Sequence, residues 1–281
     1  MMEAIYLDID GTLRDERFGI PQSAKWALAQ CRKEKIKNII CTGRNLASIQ
    51  KDVKELPIDG IISGGGCYIH YHGEVLWERY FLPEVIEFTI EQAVQHQIAL
   101  SMEAKWKIYM DSYAVTFYQK DLERKVSGLS EPAKRMFFSD NKIQYRDNFK
   151  EFYEDKPKVH KICMMGERRK IENVKALIET EIEIVQEKEW QDLWYLEVLP
   201  KKCNKGYAMR KLNQMAGISA EHTICFGDSE NDIPMMQESK IAVAMGCCSP
   251  ILEKYATSIC ETITEDGIYK ELIRRHVIKQ I

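Results

Sequence analysis

Nowhere does the 281-residue chain hold the roughly 18 consecutive apolar residues that a membrane-crossing helix needs, so a transmembrane span is excluded. It also lacks a surplus of either charge. Forty basic side chains face 43 acidic ones, for a formal net charge of −3, and the balance holds through residues 84–190 as well as overall. A protein that draws its affinity from phosphate contacts needs a basic face, so neither a nucleic acid nor a membrane is an expected partner. Cysteine occurs nine times but never as a C-x-x-C pair, and Cys247 and Cys248 are too close in sequence for an ordinary bridge. Scattered, apolar-flanked cysteines in odd number fit a reduced interior rather than a disulfide framework. The opening stretch, Met1 to Asp8, has no basic region ahead of its apolar residues. No signal peptide is therefore expected, and the expected location is the cytoplasm. No internal repeat or low-complexity linker breaks the chain.

What is present is enough for a full core. With 45% hydrophobic and 10% aromatic residues, disorder is excluded, and the length suggests about two domains. The first third alternates strand and helix. Ala4 to Leu7 is a short apolar strand running into Asp8. A helix opens at Pro21-Gln22-Ser23 with Ala24, Ala27, Leu28 and Cys31 on one face. Ile39 to Cys41 is a second strand, and Leu46, Ile49 and Val53 mark a second helix. Ile61-Ile62 is a third strand, ending at Ser63-Gly64-Gly65-Gly66. From Gly206 onward the same grammar returns: a helix to Met215, a strand over 223–226, a short helix over 233–236 and a strand over 241–244. A helix after Pro250, a strand over 257–259 and a closing helix from Gly267 follow.

The middle differs. A helix carrying Ile86, Ile90, Ala93 and Val94 precedes strands over 99–104 and 107–110. A helix with Ile171, Val174 and Ile178 then leads to alternating Ile182/Ile184 and Leu196/Val198. This predicts an α+β insertion with an antiparallel sheet. The expected fold is α/β: a Rossmann-like parallel-sheet core from 1–83 and 200–281, split by an inserted domain over 84–199. Residues 111–160 carry the weakest pattern.

Three strands end in chemically rich clusters. The first ends in Asp8-Ile9-Asp10-Gly11-Thr12, the second in Thr42-Gly43-Arg44, and a late one in Gly227-Asp228-Ser229-Glu230-Asn231-Asp232. A helix entered at Asn204-Lys205-Gly206 lies just upstream of the late strand. Carboxyl ends of neighbouring strands in an open α/β sheet converge on one crevice. Several carboxylates brought together repel one another and need a cation to stay ionised. Oxygen-only donors favour a hard ion, magnesium over zinc. Lysine, a threonine hydroxyl and backbone N–H groups at Ile9 or Gly43 are phosphate-binding groups, so the set points to phosphoryl transfer. A calcium loop is excluded because Thr12 stands where an EF-hand needs an acid.

Asp8-Ile9-Asp10-Gly11-Thr12-Leu13 resembles motif one of the haloacid dehalogenase (HAD) superfamily, Thr42 motif two, Lys205 motif three and Gly227 to Asp232 motif four. The four stand in order over residues 8–232. The insertion after the third strand is similar to the type IIB cap of the Cof-like branch, as are Leu196-Glu197-Val198 and Ile233-Pro234-Met235-Met236. One departure stands out: Cof-like chains often carry Ser-Asn-Gly where this chain reads Ser63-Gly64-Gly65-Gly66.

The resemblance implies roles. Asp8 would be the nucleophile that carries the phosphoryl group, and Asp10 the acid and base. Magnesium would be held by the Asp8 and Asp228 carboxylates and the Asp10 main-chain carbonyl. Ile9, Thr42, Gly43, Lys205 and Asn231 would hold the phosphoryl oxygens, Asp232 would orient Lys205 or a metal-bound water, and Arg44 is a candidate substrate contact. The implied activity is magnesium-dependent hydrolysis of small phosphomonoesters, phosphosugars or related metabolites, through an aspartyl-phosphate, by a monomer or homodimer. A phosphomutase of the same fold and a catalytically silent metabolite-binding scaffold are the competing readings.

Overall fold

The structure, a computed structural model, describes residues 2–131, 134, 145–190 and 192–280. Part of the weakly patterned 111–160 stretch lies outside these. The chain forms two compact units, one of Met1–Gly43, Ile49–Glu78 and Asn204–Ile281, the other of Arg44–Ser48 and Arg79–Cys203.

The first unit is built on an eight-stranded sheet. Its strands are β1 (Ala4–Leu7), β2 (Lys37–Cys41), β3 (Gly60–Ser63), β4 (Tyr68–Tyr71), β5 (Glu74–Glu78), β11 (Thr223–Gly227), β12 (Ile241–Ala244) and β13 (Ser258–Ile259), in the order β13-β12-β11-β1-β2-β3-β4-β5. From β13 to β3 every pairing is parallel, whereas β4 and β5 add antiparallel. Residues of β1 and β11 are all buried, as continuous apolar strands of a sheet covered on both faces must be. The expected α/β class holds. β1 sits at the centre with β11 and β2 on either side, so Asp8, Thr42 and Asp228 emerge at neighbouring carboxyl ends.

The second unit carries β6 (Ala99–Ala104), β7 (Ile108–Met110), β8 (Val159–Gly166), β9 (Ile182–Trp190) and β10 (Leu193–Pro200), all antiparallel in the order β7-β6-β8-β10-β9. Helices Pro83–His96 and Arg168–Ile178 bring Ile86, Ile90, Ile171, Val174 and Ile178 into a core with Leu100, Met102, Ile162, Met164, Leu196 and Val198. Helix Ser112–Val126 packs Ala114 and Phe117 against Cys163 and Tyr195 in a separate cluster.

Three local expectations fail for identifiable reasons. Leu46, Ile49 and Val53 are buried, yet only Lys51–Lys54 is helical. The Asn45 side chain accepts the Ser48 N–H at 3.0 Å and donates to the Ala104 carbonyl at 2.9 Å, which fixes a turn instead of a helical one. Val94 is 75% exposed, because the buried stripe of its helix runs through Ile86, Thr89, Ile90 and Ala93. Thr89 takes the place that Val94 was given by sending its hydroxyl to the Val85 carbonyl at 2.7 Å. The segment after Pro250 is a 3-10 turn, Leu252–Tyr255, rather than an α-helix. No helix among the described residues is long and apolar enough to cross a membrane.

Candidate active site

Lys205 is the hub. It is the first residue of helix Lys205–Ala216, whose start is fixed by Asn204, the side chain of which accepts the Tyr207 N–H at 2.7 Å. Gly66 lets that start approach β3: a Cβ there would collide with the Asn204 backbone, and its φ of +109° suits glycine. Thus the Ser63-Gly64-Gly65-Gly66 departure is not an empty space. Its last glycine lets the chain after β3 lie against the backbone that carries Lys205.

The Lys205 ammonium, 2% exposed, lies 2.7 Å from Asp8 Oδ1 and 2.6 Å from Asp232 Oδ1. Burial alone would pull its pKa down, but the Asp232 and Asp8 carboxylates outweigh that and hold it protonated. Asp232, fully buried, spends its other oxygen on the Asp228 and Ser229 N–H groups at 3.0 and 3.1 Å. Ser229 closes the reciprocal capping box around Glu230–Asp232. Asp232 is therefore satisfied by hydrogen bonds within the protein.

Asp8 and Asp228 are not. Burial pushes the Asp8 carboxyl well above the usual carboxylate range; Lys205 opposes this, while Asp232, Asp228 and Asp10 reinforce it. Asp228 is pushed up to about 6 by burial and by Asp232, with the Thr12 hydrogen bond and Lys205 pulling the other way. Oxygens of Asp8, Asp228 and Asp232 lie within 4.8 Å of one another. A divalent cation fits this donor set: hard oxygens in excess of the one ammonium, with two carboxylates that burial drives towards protonation unless positive charge arrives. Because Asp232 is already engaged, Asp8 and Asp228 are the carboxylates left for such an ion.

Among the other sequence candidates, Asp10 acts electrostatically on both Asp8 and Asp228. Buried Thr42 sits at the end of β2, its N–H on the Ile62 carbonyl at 2.9 Å and its own carbonyl taking the Gly65 N–H at 3.0 Å. Gly43 is next to Asn231: a Cβ at Gly43 would lie 3.8 Å from Asn231 Nδ2. The buried Ile9 carbonyl accepts the Leu13 and Arg14 N–H groups, which closes the turn after β1. Arg44 falls in the second compact unit and donates to the Ser48 carbonyl at 3.0 Å.

Sequence reasoning assigned no role to Thr12 or Asn204. The Thr12 hydroxyl donates to Asp228 Oδ1 at 3.0 Å and so orients a carboxylate from another strand. Its place in the Asp-x-Asp-Gly-Thr run was the available signal. Gly11 is needed beside it, with φ at +80° and the Asp228 carboxylate where a Cβ would stand.

The sequence model of the haloacid dehalogenase-like hydrolases matches residues 5–272. HMP-PP phosphatase of Klebsiella pneumoniae is 27% identical over 263 residues, covering 90% of this chain and 87% of its own. The solved structure of the phosphatase BT1666 from Bacteroides thetaiotaomicron superposes with a TM-score of 0.80 at 22% identity, covering 99% of this chain and 96% of that one. The HAD subclass IIB sugar phosphatase BT4131 gives a TM-score of 0.76 at 24% identity, over 98% and 100% of the two chains.

Proposed function

The chain belongs to the haloacid dehalogenase-like hydrolase family and is one of its phosphatases, and on that premise we propose that it is a magnesium-dependent hydrolase of small phosphomonoesters, phosphosugars above all, with Asp8 as nucleophile. One observation carries this reading: a buried ammonium bonded at once to Asp8 and to a structurally locked Asp232, at the carboxyl end of the central strand. Lys205 engages Asp8 Oδ1, which leaves Oδ2 to attack phosphorus. As that bond forms, the ester oxygen departs with a proton from Asp10. Water then attacks the phosphorus of the aspartyl-phosphate, gives its proton to Asp10 and releases phosphate from Asp8. The Asp8 and Asp228 carboxylates and the Asp10 carbonyl would hold magnesium, which supplies charge neutralisation for the incoming phosphate. Thr42, Gly43, Asn231 and the Ile9 N–H serve as phosphate donors in this scheme, while the α+β insertion, residues 84–199, selects the ester.

The test is phosphate release from a panel of phosphorylated metabolites. Activity should vanish in EDTA and return with magnesium, and a rapid quench should trap phosphate on the wild-type protein and none on Asp8→Asn. Turnover in metal-stripped buffer, or in Asp8→Asn, overturns the mechanism. Isomerised ester in place of free phosphate makes it a mutase.

A further inference from the structure

Asp10 is held by the residue four places after it. The Arg14 N–H donates to the Ile9 carbonyl at 2.8 Å, and the Arg14 carbonyl accepts the Gly11 N–H at 3.3 Å. These bonds secure the two peptide units on either side of Asp10, and Asp10 and Arg14 pair as an isolated parallel bridge. A residue has two soft backbone dihedrals, so fixing both adjoining peptide planes fixes where Asp10 directs its side chain and its carbonyl. The position of the Arg14 backbone therefore sets the aim of Asp10.

Arg14 is itself anchored from a distance. Its side chain, 5% exposed, runs to Asp52 in the short helix Lys51–Lys54, with Nε 3.3 Å from Oδ1 and 3.0 Å from Oδ2. A second donor, Nη1, reaches the Asp15 carbonyl at 3.4 Å. Asp52 is held in turn, because its Oδ1 accepts the N–H of Val53, which is fully buried, at 2.9 Å. Both partners lie in the first compact unit. Beyond Arg14 the chain enters a hairpin closed by two backbone bonds of 3.0 Å between Asp15 and Gly19, with Glu16, Arg17 and Phe18 exposed. The Arg14 side chain thus ties the Asp10 turn and the base of this hairpin to the helix. For stability alone, a buried arginine–carboxylate pair does no better than apolar side chains of similar volume. What it adds is direction, since a planar guanidinium fixes angle as well as distance.

We propose that Arg14 and Asp52 are a positioning pair that aims Asp10 at the ester oxygen, an inference that rests on the phosphatase reading above. Both act through Asp10. A general acid must stand about 3 Å from the oxygen it protonates, and a misplacement of about 1 Å costs about a hundredfold in rate. Loosening the pair should slow proton donation while Asp8, bonded to Lys205, stays in place.

The experiment uses Asp52→Asn and Arg14→Met in the full-length protein. Asp52→Asn turns a charge-assisted bond into a neutral one, a hold weaker by about tenfold. Hydrogen exchange across residues 9–14 should accelerate by about that factor. By rapid quench, the first step on the best sugar phosphate of the panel should slow about tenfold, and on p-nitrophenyl phosphate about twofold, because nitrophenolate departs without a proton. In the Asp10→Asn background, Asp52→Asn should add a loss of about twofold or less on the sugar phosphate, whereas a pair that merely braces the fold would cost the same in both backgrounds. Arg14→Met keeps the buried volume and should repeat the leaving-group signature. If it does not fold, Asp52→Asn decides alone, since that carboxylate is 31% exposed. Equal losses on the two esters, or an undiminished loss in the Asp10→Asn background, overturn the proposal. Should no sugar ester be hydrolysed, the sugar phosphatase reading fails, and exchange decides the rest. Acceleration confined to residues 9–14 keeps the pair as the anchor of Asp10, and unchanged exchange overturns it.

Discussion

Asp232→Asn replaces one oxygen by an NH2 group, yet no orientation of the amide satisfies the site. Asp232 Oδ2 takes two backbone N–H groups and Oδ1 takes the Lys205 ammonium at 2.6 Å. With the amide oxygen on the backbone, its NH2 meets the ammonium, donor against donor; flipped, it meets both N–H groups. The first arrangement forfeits fewer bonds and leaves Lys205 with Asp8 alone. Removing one partner from a buried charged set costs about 3–5 kcal/mol, and the surviving Asp8 pair puts this case near the low end, about 3 kcal/mol. For a unit of about 150 residues, 1 kcal/mol is about 2–4 °C, so melting should fall by about 6–12 °C. Asp232→Ala should fall further, because both N–H groups then lose their acceptor. Losing the Asp232 charge also removes one cause of the raised Asp8 pKa, which makes the nucleophile less basic, so kcat should drop about tenfold or more. Scanning calorimetry and steady-state kinetics on the two variants check both numbers. A shift under about 2 °C with unimpaired turnover would refute the view that the doubly bonded ammonium organises the site.

Two further outcomes are expected. Asp10→Asn should lose about 10² to 10⁴ in rate on a sugar phosphate but less in the first step on p-nitrophenyl phosphate, whose leaving group departs without a proton; equal burst losses on the two esters would remove Asp10 from the acid–base role. Glu271, 1% exposed, would be pushed up by burial, but the Ser258 hydroxyl and the Arg275 and Arg274 guanidinium groups hold its pKa below the ordinary 4.5. A depressed carboxylate adds stability above its unfolded pKa and loses it as pH falls through the folded one, so wild type should lose melting temperature more steeply below about pH 4.5 than Glu271→Gln. Parallel slopes would show that the guanidinium contacts are too solvated to matter.

The parallel part of the sheet was legible because its strands are uninterrupted apolar runs that end in acid or glycine, as at Leu7-Asp8 and Phe226-Gly227-Asp228. Periodicity reported burial more faithfully than conformation: Leu46 and Ile49 are inside, but an asparagine turn puts them there. Apolar patterning also passed over Thr89, since a threonine that satisfies its own hydroxyl within its helix can be buried where Val94 is not. At the site, the acids and Lys205 were visible as residue types at strand and helix ends. Thr12 was visible only as a member of the Asp-x-Asp-Gly-Thr run, and its role was not, because its partner Asp228 lies more than 200 residues away and only the fold joins them. The ion pairs of Lys161 with Glu103 and Glu197 were hidden because the three residues come from different strands of the insertion.

The position of β1 has a consequence for how the protein is made. Its neighbours in the finished sheet are β2, which follows within 40 residues, and β11, which starts at Thr223. As the chain leaves the ribosome, one edge of β1 stays unpaired while the whole of residues 79–203 is synthesised, and Asp8 has neither Lys205 nor Asp228 beside it. An apolar strand with a free edge is an aggregation hazard, and contacts this distant in sequence form slowly. Chains truncated before Thr223 should therefore be both inactive and insoluble, with the nascent protein depending on chaperones until β11 emerges.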